Sequence, residues 1–147
     1  MWRTRVSQTK EVVLPKGYAP TLKEKFMNRK QTAYFQAKLL DWKEEILRES
    51  RETLDHLQEG GIQEPDIADR ASTETDWSLE LRTRDRQRKL VSKIELAIRR
   101  IEAGDYGYCE VTGEPISLKR LEARPIATMT LEAQEVHERM ERIYREA

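Results

Sequence analysis

The chain has 147 residues, of which 37% are charged and 37% hydrophobic, and 27 basic residues balance 27 acidic ones. So polar a composition favours an elongated helical protein over one compact ball, and zero net charge provides no global field for nucleic acid or an anionic membrane. A single cysteine excludes an internal disulfide framework. Because no apolar run could cross a bilayer and no signal peptide core is present, we expect a cytoplasmic protein with no membrane partner.

Residues 1–27 carry Pro15, Gly17 and Pro20 among scattered apolar residues, without a sustained periodicity. This pattern predicts an N-terminal extension that is loosely held or partly disordered. Whether Trp2 or Tyr18 docks on the body stays open at this point.

A capping pair marks the start of the first predicted helix. Asn28 can accept hydrogen bonds from first-turn amides, while Gln31 can reach back to the chain before the helix. From there to residue 58, side chains recur at spacings of four, three, four and seven: Phe35, Leu39, Trp42, Ile46 and Thr53, with Leu40, Leu47 and Leu54 beside them. This heptad pattern is typical of the line of inward-facing side chains in a coiled coil, which we call the seam.

The helical pattern resumes after a breaker-rich, acidic stretch, residues 59–72 (EGGIQEPDIADRAS), and runs from about Thr73 to Ala103. Its apolar positions are Leu90, Ile94, Ala97 and Ile101, with Trp77 and Leu81 nearer the loop. Two helices of similar length joined by a short connection pack antiparallel. The sequence therefore predicts an antiparallel coiled coil over residues 28–103 with a tip loop at 59–72.

Charge is distributed unequally between the two helices. Residues 41–59 contain seven acids against three bases, whereas residues 82–100 contain eight bases against two acids. Ion pairs along the coil are the main explanation, because opposite charges help to select a partner and an orientation. A second explanation comes from four cations at spacings of four, three and four, which form one face that can bind phosphates: Arg82, Arg86, Lys89 and Lys93.

Residues 104–147 predict a small globular region of turns, with room for one hairpin, and a C-terminal helix. Gly104 is a suitable cap for the end of the preceding helix. The last helix is expected from about Thr130 to Arg145, and its apolar positions predict a buried face: Ala133, Val136, Met140 and Ile143. His56 and His137 look like ordinary helix residues, and no arrangement of nucleophile, base and orienting group points to an enzyme.

Four positions of this region have the spacing of a zinc ribbon, C-x2-C-x17-C-x2-C, but only Cys109 is a cysteine. Thr112, Thr130 and Ala133 occupy the others, so we expect no zinc and a buried, apolar role for Cys109. Apolar packing against the final helix would then replace the metal, through Tyr106, Tyr108, Ile116, Leu118, Leu121 and Ile126. The predicted fold is mainly α: a coiled coil, a zinc-ribbon-like but metal-free globular end, and a C-terminal helix.

The segments PDIADRAS, WSLELRTRDRQRKL, YGYCE and RLEARPIA resemble the DksA family of bacterial transcription factors, in the right order and over about four-fifths of the chain. The resemblance implies a monomeric regulator that inserts its coiled coil through the secondary channel of RNA polymerase. It also implies synergy with the alarmone ppGpp, inhibition of ribosomal RNA promoters and activation of some amino-acid biosynthesis promoters. Because three of the four cysteines are missing, the chain resembles the cysteine-poor, zinc-independent branch of the family.

Carried over to this chain, the family's tip residues are Asp66, Asp69 and Ala71. Its ppGpp contacts at the polymerase interface are Leu90, Lys93 and Arg124, with Arg86 and Arg120 as basic support. Gln134 departs from the family, because well-known members have a ppGpp-site lysine there, which implies weaker binding of the alarmone. From local sequence alone, the favoured interpretation is that Asp69 and Ser72 cap the second helix.

Three functions remain open on the sequence. The preferred one is a non-enzymatic polymerase regulator without sequence-specific DNA binding. A Gre-type transcript-cleavage factor would use tip acids to hold magnesium, but here those acids are separated by two residues. A coiled-coil adaptor without any polymerase role is the third.

Overall fold

The computed structural model describes residues 14–60 and 67–146, except for the side chains of residues 56–60 and 67–73. Four helices span Arg29–Gly60 (α1), Ile67–Ala103 (α2), Leu118–Ala123 (α3) and Leu131–Glu146 (α4). Over these described ranges the chain has no strand, only an isolated antiparallel bridge between Tyr108 and Pro115. The described chain divides into a globular unit (14–37 with 105–146) and a coiled-coil unit (38–104). The mainly helical prediction is confirmed.

The predicted capping pair starts α1. The Asn28 side-chain oxygen accepts a hydrogen bond from the Gln31 amide at 2.8 Å, and the Gln31 side-chain oxygen accepts one from the Met27 amide at 2.8 Å. Gln31 is fully buried. Its partner Met27 is the residue before the cap, whereas in a capping box the partner is the cap residue itself. These bonds satisfy amides that the helix leaves unpaired and fix its first turn.

Two contacts in the coiled-coil unit establish that α1 and α2 run antiparallel, as predicted. Ser50 Oγ donates to Gln87 Oε1 at 2.8 Å, and Lys43 Nζ lies 3.2 Å from Glu95 Oε1. The higher residue number on α1 is thus paired with the lower residue number on α2, which is the pattern of two antiparallel helices. The seam is apolar in one part of its length, where the buried side chains are Leu39, Ile46, Ile94 and Ala97.

The tip loop is shorter than predicted. Residues 59–60 belong to α1 and residues 67–72 belong to α2, so the prediction of a loop over 59–72 is wrong at both ends. The strong helix breakers are confined to Gly60, Gly61 and Pro65, whereas the residues after Asp66 are compatible with a helix. An acid such as Asp69 is also favourable in a first helical turn, because it faces the positive end of the helix dipole.

The core of the globular unit is closed by the start of α1 and by the segment before it. Phe35 and Tyr106 are buried with ring centroids 5.7 Å apart, and Phe26 meets Tyr108 edge-on at 5.5 Å. Tyr18 docks as well, with its ring 6.1 Å from that of Tyr34. Residues 14–28 therefore belong to the packed unit, while Trp2 lies outside the described residues.

Helix α3 was not predicted, although its signals are local. The Ser117 hydroxyl accepts from the Arg120 amide at 3.2 Å, a typical N-cap bond, and Leu118 and Leu121 point from one face into the core. Ile116 is also fully buried, whereas Tyr108 and Ile126 are only half-buried. Pro125 and the short length of the element hid this helix from a search for longer periodic segments.

The prediction of a buried face on the last helix is wrong. α4 has no buried residue, and its apolar stripe is exposed at Val136, Met140 and Ile143, with Ala133 half-buried. Since Phe35 and the N-terminal segment already fill the core of the globular unit, that core is complete without α4. No helix in the described part of the chain combines the length and the apolar character needed to cross a membrane.

Candidate functional site

The tip residues lie at the junction of α1 and α2. Asp66 is outside the described residues, while Asp69 and Ala71 belong to the first two turns of α2, with side chains outside the described set. Because α2 begins at Ile67, neither Asp69 nor Ser72 occupies the cap position, which precedes a helix. The capping interpretation of these two residues is therefore wrong. Asp69 lies instead where a carboxylate complements the helix dipole.

The cationic face of α2 is exposed. It consists of Arg82, Arg86, Lys89 and Lys93, all with exposed side chains. Within the described ranges none of these four has an ion-pair partner. The ion pair that joins α1 and α2 there has its charges reversed relative to the prediction. Lys43 comes from the acidic helix and Glu95 from the basic one. The described part of the coil thus leaves these cations available to a partner, with half-buried Leu90 beside Lys93.

A second basic surface lies in the globular unit, on a cleft of about 620 Å³ between α3 and the start of α4. Lys119, Arg120 and Arg124 line it together with Glu114 and Glu132. The cations line one cleft because the turn that ends α3 brings them together: the amide of Arg124 donates to the Arg120 carbonyl at 2.7 Å.

The two predicted arginines of this cleft differ in their contacts. The Arg120 guanidinium donates through Nε to the Met129 carbonyl at 3.0 Å, which ties α3 to the segment before α4. The Arg124 side chain is exposed, and Lys119 is a further exposed cation that sequence reasoning missed. Gln134 donates to Glu138 Oε1 at 3.0 Å on the surface of α4. Leu90 and Lys93 therefore belong to the coiled-coil unit, and Arg120, Arg124 and Gln134 to the globular unit.

The zinc-ribbon positions are occupied by hydrogen-bonding groups rather than by metal ligands. The Thr112 hydroxyl accepts from the Glu114 amide at 3.3 Å, and the Thr130 hydroxyl accepts from the Ala133 amide at 3.2 Å. Cys109 is buried beside them. One thiol, two hydroxyls engaged with their own turns and a methyl group do not fit a zinc site. Elsewhere in the described chain, no three His, Cys, Asp or Glu residues are placed to hold a metal.

Cys109 is more than a small apolar side chain. Burial opposes ionisation of its thiol, yet hydrogen bonds from the Thr112 hydroxyl and from the backbone amides of Thr112, Thr130 and Val111 outweigh that cost and lower its pKa to about 6. These groups come from both zinc-ribbon half-sites, the first at residues 109–112 and the second at residues 130–133.

Comparison with known proteins identifies the family. The family model of the DnaK suppressor protein DksA, N-terminal domain, matches residues 31–101, and that of the prokaryotic dksA/traR C4-type zinc finger matches residues 104–139. The RNA polymerase-binding transcription factor DksA of Caulobacter vibrioides strain NA1000 is 64% identical over 140 residues, which cover 95% of this chain and 99% of that protein. The chain belongs to the DksA family. The resemblance of its separate motifs is thereby confirmed.

More distant members of the DksA family share most of the chain. The RNA polymerase-binding transcription factor DksA of Escherichia coli K12 is 42% identical over 115 residues, covering 78% of this chain and 76% of that protein. The solved structure of transcription factor DksA2 from Pseudomonas aeruginosa superimposes with a TM-score of 0.74 at 37% identity, covering 80% of this chain and 90% of that one. The C4-type family model matches residues 104–139 although Cys109 is the only cysteine of the sequence.

Proposed function

We propose that this DksA-family chain is a non-enzymatic regulator that binds RNA polymerase through the secondary channel and acts with ppGpp in the stringent response. It inhibits ribosomal RNA promoters and activates some amino-acid biosynthesis promoters, as a cytoplasmic monomer without sequence-specific DNA binding. The observation that carries the proposal is the 64% identity, over nearly the whole chain, to a relative named as an RNA polymerase-binding transcription factor. The exposed cations of α2 support it.

The tip acts near the polymerase active site. Asp66 and Asp69 provide carboxylates that accept hydrogen bonds from amides or basic side chains of the polymerase, and Ala71 leaves room for close approach. By binding one state of the mobile elements there more tightly than another, the tip shifts the balance between promoter complexes. A coupling free energy of about 1–3 kcal/mol is sufficient for a several-fold change in promoter output.

ppGpp binds between the polymerase and two surfaces of this chain. Lys93, with Arg86 on the same exposed face, provides charge for phosphate groups, and Leu90 provides an apolar contact. Arg124 contributes from the cleft of the globular unit, where Arg120 supports it. Gln134 has no charge to offer a phosphate, so the response to ppGpp is weaker than in relatives with a lysine there.

Asp69→Asn tests the role of the tip. It keeps the size of the side chain and removes its charge, so polymerase binding stays nearly intact while inhibition of a ribosomal promoter in vitro is abolished. The matched control is Asp85→Asn, an exposed aspartate on the same helix outside the tip. If Asp69→Asn inhibits as strongly as the unaltered protein, the tip assignment is wrong.

Lys93→Ala tests the ppGpp surface. The variant retains its effect on the promoter without ppGpp and loses the additional effect of ppGpp, because one phosphate-binding cation has been removed. Arg99→Ala, which removes an exposed cation of α2 outside the cationic face, leaves the response unchanged. An undiminished ppGpp response in Lys93→Ala would reject this site.

Transcript cleavage is distinguished by a separate assay. A backtracked elongation complex incubated with the protein releases short 3′ RNA fragments if the tip holds a catalytic magnesium, and releases none if the chain only regulates. Failure to bind core polymerase in a pull-down would instead favour the adaptor.

A further inference from the structure

The seam of the coiled coil changes in character along its length. In the proximal half, residues 38–46 of α1 and 94–103 of α2, the seam side chains Leu39, Ile46, Ile94 and Ala97 are at most 5% exposed. In the distal half, residues 47–55 of α1 and 74–93 of α2, not one described residue is buried. Helix formation continues through both halves, so only the packing between the helices differs.

Five of the eight half-buried side chains in the distal half are polar, and the other three are Leu54, Leu90 and Val91. Ser50 follows Ile46 by four residues and Gln87 precedes Ile94 by seven, so both continue the apolar face of the proximal half, and they bond to each other at 2.8 Å. The other half-buried polar side chains of this half are Thr53, Glu80 and Arg84. Polar groups at seam positions specify the register of a coiled coil at a cost in stability.

Glu80 adds a further cost. Among the described residues, its Oε2 atom is shielded from solvent and has no hydrogen-bond partner, and an unpaired shielded polar group destabilises the packed state. At the same time, the large apolar side chains of this part of α2, Trp77, Leu79 and Leu81, lie at the surface, about half exposed. Apolar burial therefore stabilises the packing of the distal half less than that of the proximal half, and the burial of polar groups destabilises it.

We propose that the distal half of the coil is a separate opening unit, in which α1 and α2 part locally while the proximal half stays paired. Proteins open locally where few apolar contacts join two elements, at a free energy below that of global unfolding. Local opening lets the coil change shape when it meets a partner. The opening itself is independent of the proposed function, whereas its use on RNA polymerase rests on that function.

Amide hydrogen exchange of the full chain, followed by mass spectrometry, tests the opening. We expect amides of residues 47–55 and 74–93 to exchange at least about tenfold faster than those of 38–46 and 94–103, with a step where the two halves meet, at Ile46 in α1 and Ile94 in α2. Equal protection of the two halves would overturn the proposal. A smooth gradient towards the tip would also overturn it, because that is the pattern of simple fraying from the helix ends.

Substitutions in the seam sharpen the test. Glu80→Leu removes the unsatisfied carboxylate and slows distal exchange by about tenfold. Asp85→Leu makes the same kind of change at an exposed position of the same half and changes distal exchange by less than about twofold. The double variant Ser50→Ala with Gln87→Leu replaces both members of the polar pair and also slows distal exchange. Equal effects of Glu80→Leu and Asp85→Leu would reject the role of the seam.

The functional arm uses the same variants on RNA polymerase. The triple variant Ser50→Ala, Gln87→Leu, Glu80→Leu is expected to bind the polymerase and to inhibit a ribosomal promoter several-fold less at saturation. Slowed exchange with unchanged inhibition would overturn the use of opening in regulation. If the unaltered protein does not inhibit at all, the proposed function fails, while the exchange results still decide whether the distal half opens.

Discussion

The globular unit and the distal half of the coil are stabilised in different ways. At its zinc-ribbon positions the globular unit has no metal-binding donor set, yet it fully buries Phe35, Ile116 and Leu121 and satisfies its turns with threonine hydroxyls. The distal half of the coil keeps regular helices, yet buries no described side chain. The globular unit therefore maintains its own shape through packing, whereas the described distal half of the coil is joined by polar contacts and by apolar side chains that are only half-buried.

Matched leucine truncations give the largest expected contrast between the two regions. Leu121→Ala removes a fully buried side chain from the globular core and lowers the free energy of unfolding of that unit by about 2–5 kcal/mol. Leu54→Ala removes a half-buried side chain from the distal coil and costs less than about 1 kcal/mol. Urea denaturation resolved by amide exchange of each unit measures both. Equal losses in the two variants would show that the contrast in packing has no energetic consequence.

The pH dependence of the globular unit tests whether the Cys109 thiolate joins its turns. The pKa of this thiol is about 6 in the folded chain against an ordinary value of 9.0, so the folded state holds fewer protons in this interval. Stability of the unit should therefore rise from pH 6 to pH 9, by on the order of 1 kcal/mol per pH unit, and should be lost again as the pH falls through 6.

The control for this pH dependence is Cys109→Ala, which removes the titrating group and keeps the site small. Subtracting its profile from that of the unaltered protein isolates the cysteine from other groups that titrate in the same interval. A difference between the two profiles that does not change with pH would mean that the sulfur contributes only as a buried neutral group. Titration of the thiol by its ultraviolet absorbance measures the pKa independently.

Local signals in the sequence predicted local structure well. The capping pair Asn28 and Gln31 was predicted because both partners lie within three residues, and the antiparallel coil because heptad spacing persists along both helices. The buried face of α4 was predicted wrongly, because periodicity indicates an apolar face without revealing what covers it. Here Phe26 and Phe35 contribute to the globular core instead, and they are distant in sequence from Tyr108 and Tyr106, against which they pack.

The candidate site was accessible to sequence reasoning only in part. The spacing that places Lys93 on one cationic face is a property of a single helix, and the structure confirms the exposure of that face. The cleft that contains Lys119 and Arg124 depends on α3, whose six residues are too short for a periodic signal. The roles of Asp69, Lys93 and Arg124 stay predictions, since they depend on a partner rather than on this fold.

Gly107→Ala tests the fit of the N-terminal segment in the globular core. Gly107 has φ +88°, and an added Cβ would lie 3.0 Å from the Met27 side chain. Gly113→Ala is the matched control, because its φ is +74° and nothing lies within 4 Å of the added atom. Both variants lose about 1 kcal/mol of unfolding free energy, because alanine is strained at a positive φ. Gly107→Ala loses more, because the Met27 side chain must also move. Equal unfolding midpoints would mean that Met27 yields freely and that the segment before α1 is not closely fitted.

The smallest expected effect concerns a hydrogen bond within the globular unit. Tyr34 donates its hydroxyl proton to Glu122 Oε1 at 2.5 Å, and burial together with the neighbouring carboxylate raises the pKa of Tyr34 to about 12. Tyr34→Phe should cost about 0.5 kcal/mol, since the bond is exposed to solvent and competes with water. Tyr144→Phe, on the exposed surface of α4, should cost nothing measurable.

The cost of Tyr34→Phe should depend on pH. A raised tyrosine pKa stabilises the fold below pH 10, and this stabilisation is lost as the pH rises through 12. The difference in stability between Tyr34→Phe and the unaltered protein should therefore disappear in that alkaline range. A difference that persists there would mean that the hydroxyl proton shared with Glu122 does not cause the effect, because the phenylalanine variant keeps the ring and lacks only the hydroxyl.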